Sequence, residues 1–238
     1  MELAGMYALV TGASGGIGFH IAKRFLEEGA LVGLHYHRNR AQVEKLVARA
    51  PEGHCKVFQA DFGQSHDVLR LWDQFLAWSG TIDTLVNNAG EITDPAPMNE
   101  LSEEAWDRTF QVNVKAPFLL SQAAMRVMKP KCHGRIINMS SIGVKFGGGR
   151  TTAHYNASKA ALEALTRSLA KDGATYNVLV NAIEGGITDT PLHEKSGRTD
   201  LSERVELIPM KRMAQPEEIA EMVLFLASQR SSFITGAT

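Results

Sequence analysis

Short runs of apolar residues alternate along the chain with longer segments in which apolar positions recur every three to four residues. Residues 6–10 (MYALV) predict a buried strand, and residues 16–28 predict a helix because Ile17, Ile21 and Phe25 fall on one face. Gly29 suits the end of that helix. The same alternation predicts strands over residues 31–35, 56–60, 84–87, 135–139 and 177–182, and helices over residues 40–50, 65–79, 102–114, 117–128 and 153–174, with a last helix beginning at Pro216.

The predicted strands are apolar along their length, which is typical of a parallel sheet covered by helices on both faces. Right-handed crossovers between such strands give a Rossmann-type, doubly wound α/β fold, whose ligand crevice lies at the carboxyl ends of the strands. No repeat, low-complexity tract or linker divides the chain. We therefore predict a single domain over residues 1–238.

Two segments near the carboxyl end depart from this alternation. Residues 188–215 are polar and poorly periodic, and we predict that they form a mobile loop over the substrate site. Residues 232–236 resemble a turn that leads into one more strand, yet the sequence ends at Thr238. We therefore expect about seven strands, or six if the last one is missing.

Composition and charge exclude several classes of function. The chain has 25 basic and 26 acidic side chains, so no field of one sign favours nucleic acid or an anionic membrane. No stretch reaches the ~18 apolar residues that span a bilayer. The amino terminus lacks the pattern of a signal peptide, and Cys55 and Cys132 are not in a CxxC motif, so we expect a cytoplasmic protein. The eight histidines lack the spacing of metal ligands, and we predict no metal site.

A glycine-rich loop, TGASGGIG at residues 11–18, lies between the first predicted strand and the first predicted helix. Glycines at this position let the backbone approach a pyrophosphate, whose charge the amino terminus of a helix stabilises. The alternative is an ordinary turn that needs glycine for its conformation alone. The position within a βαβ unit favours a dinucleotide, and the predicted contacts are Gly12, Ser14, Gly15, Gly16, Ile17 and Gly18.

The end of the second predicted strand bears on the choice between NADP and NAD. An acidic residue there would hold the adenine-ribose hydroxyls of NAD and repel a 2′-phosphate. The residues present are Tyr36, His37 and Arg38, with Arg40 nearby and no acid among them. Arginine binds phosphate well, so we favour NADP(H), with NAD(H) as the alternative. For Arg40 a solvated loop at the start of a helix is an equally good interpretation.

Tyr155 and Lys159 are four residues apart in the long predicted helix, so their side chains lie on one face. A nearby ammonium group stabilises a phenolate and lowers the pKa of the tyrosine toward neutrality. Tyr155 could then protonate a carbonyl oxygen while a hydride reaches the carbonyl carbon. An incidental pair on a helix surface is the alternative for these two residues alone.

Four motifs in register resemble the short-chain dehydrogenase/reductase family: TGASGGIG at residues 11–18, NNAG at 87–90, a serine pair at 140–141, and YNASK at 155–159. The resemblance extends over residues 6–236. It implies that Ser141, with Ser140 as its rival, bonds the substrate oxygen. It also implies that Asn113 bends its helix and anchors a water that leads to Lys159. We therefore expect a catalytic set of Asn113, Ser141, Tyr155 and Lys159.

The resemblance implies further cofactor contacts. Asn87, Ala89 and Gly90 would stabilise the central strand and line the cofactor, and Asp61 and Phe62 would lie beside the adenine. The loop after the sixth strand would contribute Gly186, Thr188 and Thr190, and the catalytic Tyr155 and Lys159 would also contact the cofactor.

Three residues differ from the family's usual pattern. Gly185 occupies the place of a proline, and Glu184 adds a charge beside it. Gly15 stands where NADP-preferring members often have Arg or Lys. The first two changes predict a more flexible wall around the nicotinamide, and the third weakens the preference for NADP.

Residues 208–213 (IPMKRM) and 215–220 (QPEEIA) are most similar to bacterial 3-oxoacyl-(acyl-carrier-protein) reductases. This similarity implies NADPH-dependent reduction of a 3-oxoacyl thioester or a related ketone, as in fatty acid biosynthesis. An acidic carrier protein would meet basic residues, for which the candidates are Arg126, Lys129, Lys131 and Arg135, although a solvated helix end explains them as well.

Two other functions stay open at this point. One is an NAD-dependent alcohol, polyol or steroid dehydrogenase, and the other is a dinucleotide-binding regulator without turnover. The resemblance also implies a homodimer or homotetramer that pairs the helices over residues 117–128 and 153–174.

Overall fold

The computed structural model describes residues 1–192 and 200–238 as an α/β domain. Its strands are β1 Tyr7–Val10, β2 Leu31–Tyr36, β3 Cys55–Gln59, β4 Thr84–Asn87, β5 Gly134–Ser140 and β6 Val178–Glu184. Its helices are α1 Gly16–Glu27, α2 Arg40–Val47, α3 Ser65–Ser79, α4 Glu103–Phe110, α5 Ala116–Met128, α6 Gly143–Phe146, α7 Ala153–Gly173, α8 Ser202–Leu207 and α9 Pro216–Ala227.

The six strands form one parallel sheet in the order β3-β2-β1-β4-β5-β6. Helices cover both faces: α1, α2 and α9 pack on one apolar cluster, and α3, α5 and α7 pack on the other. The predicted doubly wound fold is therefore confirmed. The strand order reverses at β1, whose neighbours are β2 and β4, and this is the point where such sheets open a ligand crevice.

The two helices predicted over residues 102–114 and 117–128 are joined without a break, so the predicted gap between them is wrong. A π-helical segment, Gln111–Lys115, connects α4 to α5, and the Ala116 N–H donates to the carbonyl of Gln111. Pro117 lacks an N–H, and at the start of α5 this missing donor costs little because the helix widens just before it. The helix thus continues through Asn113, at the centre of the π segment.

The carboxyl-terminal residues run beside β6 in the place expected for a seventh strand. Gly236 N donates to Val180 O at 2.8 Å, and Ala182 N donates to Ala237 O at 2.9 Å. In the predicted mobile loop, residues 193–199 lie outside the described residues. The described remainder contains the helix α8, which the sequence pattern missed, and a bridge between Thr188 and Ala214. The mobility of the loop stays a prediction.

Among the described residues, no helix is both long and apolar enough to cross a membrane.

Candidate active site

The glycine loop forms an open cradle at the amino end of α1. Gly12 and Gly16 have φ values of +69° and +51°, a region that favours glycine. A Cβ on Gly12 would lie 3.0 Å from Ala89 Cα, and one on Gly18 would clash with Gly12 O. A Cβ on Gly15 would meet nothing within 4 Å, and no side chain of the described residues caps the helix. The space and the free N–H groups therefore fit the diphosphate of a dinucleotide.

Two side chains hold this loop against β4. Thr11 Oγ1 accepts hydrogen bonds from the N–H groups of Asn88 and Ala89, at 2.9 and 3.0 Å, and donates to Val86 O at 3.1 Å. Asn88 Nδ2 donates to Thr11 O at 2.8 Å and to Gly12 O at 3.3 Å. Asn88 was not among the predicted site residues, although it lies within the NNAG motif that indicated its neighbours.

His35 supports the loop from the other side and was also missed. Its Nδ1 accepts the Gly12 N–H at 3.1 Å, and its Nε2 lies 3.2 Å from Ala60 O, so Nε2 carries the proton. Burial lowers the pKa of His35 to about 4, which keeps the ring neutral. The ring stacks on Phe62 at 4.1 Å between centroids. In the sequence, His35 is a single histidine in an apolar strand, and no motif marks it as a site residue.

The NADP prediction rests on the residues at the end of β2. Arg38 is exposed and forms no ion pair with any of the residues in ranges 1–192 and 200–238. Arg40 is bonded to Glu44 at 2.9 Å, which fits the interpretation of Arg40 as the start of a solvated helix. Tyr36 is buried, and His37 is half-exposed. Arg38 and His37 are thus the groups that could face a 2′-phosphate.

At the end of β3, Asp61 is held by an arginine that the sequence argument did not name. Arg108 donates to both oxygens of Asp61, at 2.8 and 3.2 Å, and to Glu91 Oε2 at 3.3 Å. Burial raises the pKa of Asp61, but the hydrogen bonds from Arg108 and Gly63 outweigh it and hold the pKa below its ordinary value. Asp61 is therefore ionised at neutral pH.

Asn87 points its side chain into the fold and not toward the crevice. Its Nδ2 donates to Ser121 Oγ at 3.1 Å and to Asn138 Oδ1 at 2.8 Å, and Asn138 in turn donates to Thr166 Oγ1. The asparagine thus joins β4 to β5 and α5, in agreement with its expected role in the central strand. Only its backbone is placed to line a cofactor.

Tyr155 and Lys159 meet at the start of α7. Lys159 is buried, its Nζ donates to Met139 O at 2.6 Å, and it lies 5.6 Å from the centroid of the Tyr155 ring. Burial lowers the pKa of Lys159 to about 8. A Cβ on Gly90 would lie 3.3 Å from this Nζ, so glycine there leaves the ammonium group its room. The pair is therefore a built arrangement and not an incidental one on a surface.

Asn113 is fully buried and connects this pair to the loop after β4. Its Oδ1 accepts the Glu91 N–H at 2.9 Å, and its Nδ2 donates to Glu91 O at 2.9 Å and to Ser158 Oγ at 3.0 Å. Ser158 Oγ donates to the carbonyl of Tyr155. Asn113 thus fixes the backbone on both sides of the crevice. The water that Asn113 is expected to anchor stays a prediction.

The two serines of the pair have different hydrogen-bond partners. Ser140 is buried and donates to Glu163 Oε1 at 2.6 Å, whereas Ser141 is half-buried and accepts the N–H of Gly143 at 3.1 Å. The Ser141 hydroxyl keeps its proton for a further acceptor, such as a carbonyl oxygen. The geometry favours Ser141 over Ser140.

The loop after β6 closes the site over the glycine loop. The methyl group of Thr190 would lie 3.4 Å from a Cβ on Gly16, and Thr188 Oγ1 donates to Gly185 O at 2.6 Å. Gly186 has a φ of +63°. Glu184, whose side chain is only 9% exposed, pairs with Lys145 Nζ at 2.9 Å. The charge introduced by Glu184 is therefore compensated from α6.

Of the four basic residues suggested for a carrier protein, Arg126 is exposed and bonds Gln122 at 3.2 Å, and the other three are buried or paired with acids. Arg135 is 1% exposed, so it cannot contact a partner from the surface, and its selection was wrong. Lys129 is paired with Asp172 at 2.7 Å, and Lys131 with Asp83 at 2.9 Å. The interpretation of a solvated helix end fits these two lysines better.

Comparisons with known proteins agree with this geometry. The family model described as "Enoyl-(Acyl carrier protein) reductase" matches residues 12–238. "Nodulation protein G" of Rhizobium sp. (strain N33) is 38% identical, over 100% of this chain and 95% of its own length. "3-oxoacyl-[acyl-carrier-protein] reductase FabG" of Thermotoga maritima is 35% identical over 99% and 96%. A solved "short chain dehydrogenase/reductase family protein" superposes with a TM-score of 0.87 at 37% identity, covering 100% of this chain and 96% of that one.

Proposed function

Because this chain belongs to the short-chain dehydrogenase/reductase family and is an NAD(P)-dependent oxidoreductase, we propose that it reduces the carbonyl of a 3-oxoacyl thioester or related ketone with NADPH. The observation that carries the proposal is the buried Lys159 ammonium group 5.6 Å from the ring of Tyr155. A bound nicotinamide cofactor supplies the hydride for the carbonyl carbon.

Tyr155 acts as the general acid in this proposal. Its phenol donates a proton to the carbonyl oxygen as the carbon accepts the hydride, and the product is the alcohol. The ammonium group of Lys159 stabilises the phenolate left behind, and Met139 O keeps that group in place at 2.6 Å. Ser141 donates a hydrogen bond to the same carbonyl oxygen, which orients the substrate.

Asn113 acts through its neighbours. It holds the backbone of Glu91 and, through Ser158, the carbonyl of Tyr155, so that the glycine at position 90 and the catalytic helix keep a fixed separation. In this proposal the cofactor would follow the same crevice, from the glycine loop past Ala89 and Gly90 to the loop that includes Thr190.

The preference for NADPH rests on the cations at the end of β2. Arg38 is exposed and without an ion pair among the described residues, and His37 lies beside it. Both can meet a 2′-phosphate, and Arg does so with paired hydrogen bonds. Gly15 provides no further cation, so Arg38 and His37 are the groups that would contact the phosphate directly.

The proposed substrate class rests on the names of the relatives. Residues 149–151, Asp200 and the start of α8 line a cleft of about 420 Å³ with polar side chains, among them Arg150, Glu203 and Arg204. Exposed apolar side chains stand on the two helices beside it, Phe146 on α6 and Leu207 on α8. In this proposal the two apolar side chains, and not the charged cleft, would contact an acyl chain.

A substrate panel tests this function. Acetoacetyl thioesters, simple ketones and sugars are offered with NADPH and with NADH, and cofactor oxidation is followed. We expect the highest kcat/KM for the thioester with NADPH. Tighter binding and faster oxidation of NADH, with a steroid, polyol or simple alcohol turned over in the oxidative direction, would replace the proposal by an NAD-dependent dehydrogenase. If no compound of the panel is turned over, and Tyr155→Phe changes nothing, the result would favour a dinucleotide-binding regulator without turnover.

We also propose that the chain forms a homodimer or tetramer through α5 and α7. Phe118 on α5 is 41% exposed, and Leu165 on α7 is only half-buried, so apolar surface is left for a second copy. Light scattering at micromolar concentration should give at least a dimer, and a monomer would contradict this part of the proposal.

A further inference from the structure

Arg108 on α4 lies between two carboxylates at the adenine end of the crevice. It donates to both oxygens of Asp61 and to Glu91, as a planar guanidinium group can. A side chain at residue 63 would collide with the guanidinium group, so Gly63 leaves the space that Arg108 occupies. Asn113 holds the backbone of Glu91, which fixes the second carboxylate. The position of Arg108 is therefore determined from three sides.

Asp61 is close to the groups that would bind a 2′-phosphate. Its Oδ1 lies 3.8 Å from His37 Nε2, and His37 precedes Arg38 at the end of β2. Strands β2 and β3 are neighbours, with Tyr36 opposite Gln59, so the loops that follow them share one edge of the sheet. An uncompensated carboxylate here would repel a phosphate and attract His37 away from it.

We propose that Arg108 determines cofactor specificity without touching the cofactor: by neutralising Asp61, it allows the crevice to accept the 2′-phosphate of NADPH. This inference rests on the proposed function, since it explains how an NADPH site can contain a carboxylate next to the phosphate position. Arg108 is a positioning residue in this account, and its effect is on the ratio of two affinities.

The test compares Kd for NADPH and NADH, measured by fluorescence titration without substrate, in five proteins: wild type, Arg108→Met, Asp61→Asn, Arg108→Met/Asp61→Asn and Arg24→Met. Arg24 is a matched control because it also bonds two carboxylates, Glu28 at 2.7 Å and Glu221 at 2.5 Å, with 28% of its side chain exposed against 25% for Arg108. It lies at the opposite end of α1, away from the crevice.

We expect Arg108→Met to raise Kd for NADPH about tenfold more than Kd for NADH, because one carboxylate then faces a phosphate. Asp61→Asn should shift the ratio about threefold in the other direction, and the double variant should return it near the wild-type value. Arg24→Met should leave the ratio unchanged.

Two results would overturn the inference. Equal weakening of both cofactors by Arg108→Met would indicate a structural role, and a double variant as poor for NADPH as the single one would show that Asp61 is not the group being neutralised. A wild type that binds NADH more tightly would contradict the proposed NADPH preference instead, and the changes in ratio between variants would still be readable.

Discussion

The two halves of the crevice are held in place by different means. Around the cofactor half, Thr11 of the glycine loop bonds the backbone of Asn88 and Ala89, and the side chains of His35 and Asn88 bond the backbone of the glycine loop. Around the substrate half, α6 is joined to β6 by one ion pair, Lys145 with Glu184, in which the lysine is 59% exposed.

This difference separates two requirements of the reaction. The cofactor half has to present backbone N–H groups to a diphosphate in one geometry, and several partly buried hydrogen bonds secure that geometry. The contacts of the substrate half can change without disturbing the rest of the site, because a partly exposed ion pair contributes little to stability. Glu184 and Gly185, which differ from the family's usual pattern, lie at the end of β6, and Glu184 belongs to this ion pair.

The largest expected effect comes from the ammonium group shared by both halves. Lys159→Met should lower kcat about 10²–10⁴-fold, since phenolate formation at Tyr155 loses its support. At neutral pH it should also raise the free energy of unfolding by about 1–3 kcal/mol, because a buried charge is replaced by an apolar side chain. Steady-state kinetics and urea denaturation measure the two effects.

The gain in stability should depend on pH in a defined way. Burial lowers the pKa of Lys159 from 10.5 to about 8, so its ammonium group destabilises the native state below pH 8. That cost is relieved as the pH rises from about 8 to 10.5. A stability difference between wild type and variant that stayed constant over this range would contradict the buried-charge explanation.

The next effect lies in the cofactor half. His35 has its pKa lowered by burial from 6.5 to about 4, so the unfolded chain binds the proton more readily, and native stability falls as the pH drops from 6.5 to 4. The loss attributable to His35 is about 3 kcal/mol. His35→Asn should remove this part of the pH dependence in urea unfolding, and an unchanged profile would contradict the assignment.

A smaller effect distinguishes the halves by cofactor affinity. Asn88→Ala leaves the carbonyls of Thr11 and Gly12 without their donor, and we expect Kd for NADPH to rise about tenfold. Asn156→Ala is the matched control, because Asn156 Nδ2 bonds Gly147 O at 2.8 Å in the substrate half. It should change KM for the ketone and leave Kd for NADPH as it was. Equal effects of both variants on Kd would remove the distinction.

The smallest effect concerns α6. Lys145→Met should raise KM for the ketone about threefold with Kd for NADPH unchanged, since the pair with Glu184 is partly exposed. The exchange Lys145→Glu/Glu184→Lys should restore much of the loss. An exchange that does no better than the single variant would show that the pairing itself is unimportant.

The fold could be predicted from the sequence because short, continuously apolar runs alternate regularly with amphipathic runs of period 3.6. The π-helical segment could not, since Asn113 and Pro117 look like the end of one helix and the start of another. The short helix α8 was not predicted because its six residues show too little periodicity.

The residues of the site were predictable where a motif marks them, as Tyr155, Lys159 and the glycine loop are. His35, Asn88 and Arg108 were missed because their roles depend on groups that the fold brings to them across 23 to 77 residues of sequence. The prediction that Arg135 meets a carrier protein was wrong, because nothing in the sequence shows that a basic residue at the start of a strand will be buried.

The central claim is that Tyr155 protonates the carbonyl oxygen. The most direct measurement is a single turnover, in which enzyme loaded with NADPH is mixed with an acetoacetyl thioester and cofactor oxidation is recorded, for wild type and Tyr155→Phe. The account predicts one alcohol formed for each NADPH oxidised by wild type, and a rate lower by about 10²–10⁴-fold in the variant at equal NADPH occupancy. A Tyr155→Phe enzyme that oxidised its bound NADPH at the wild-type rate would contradict it.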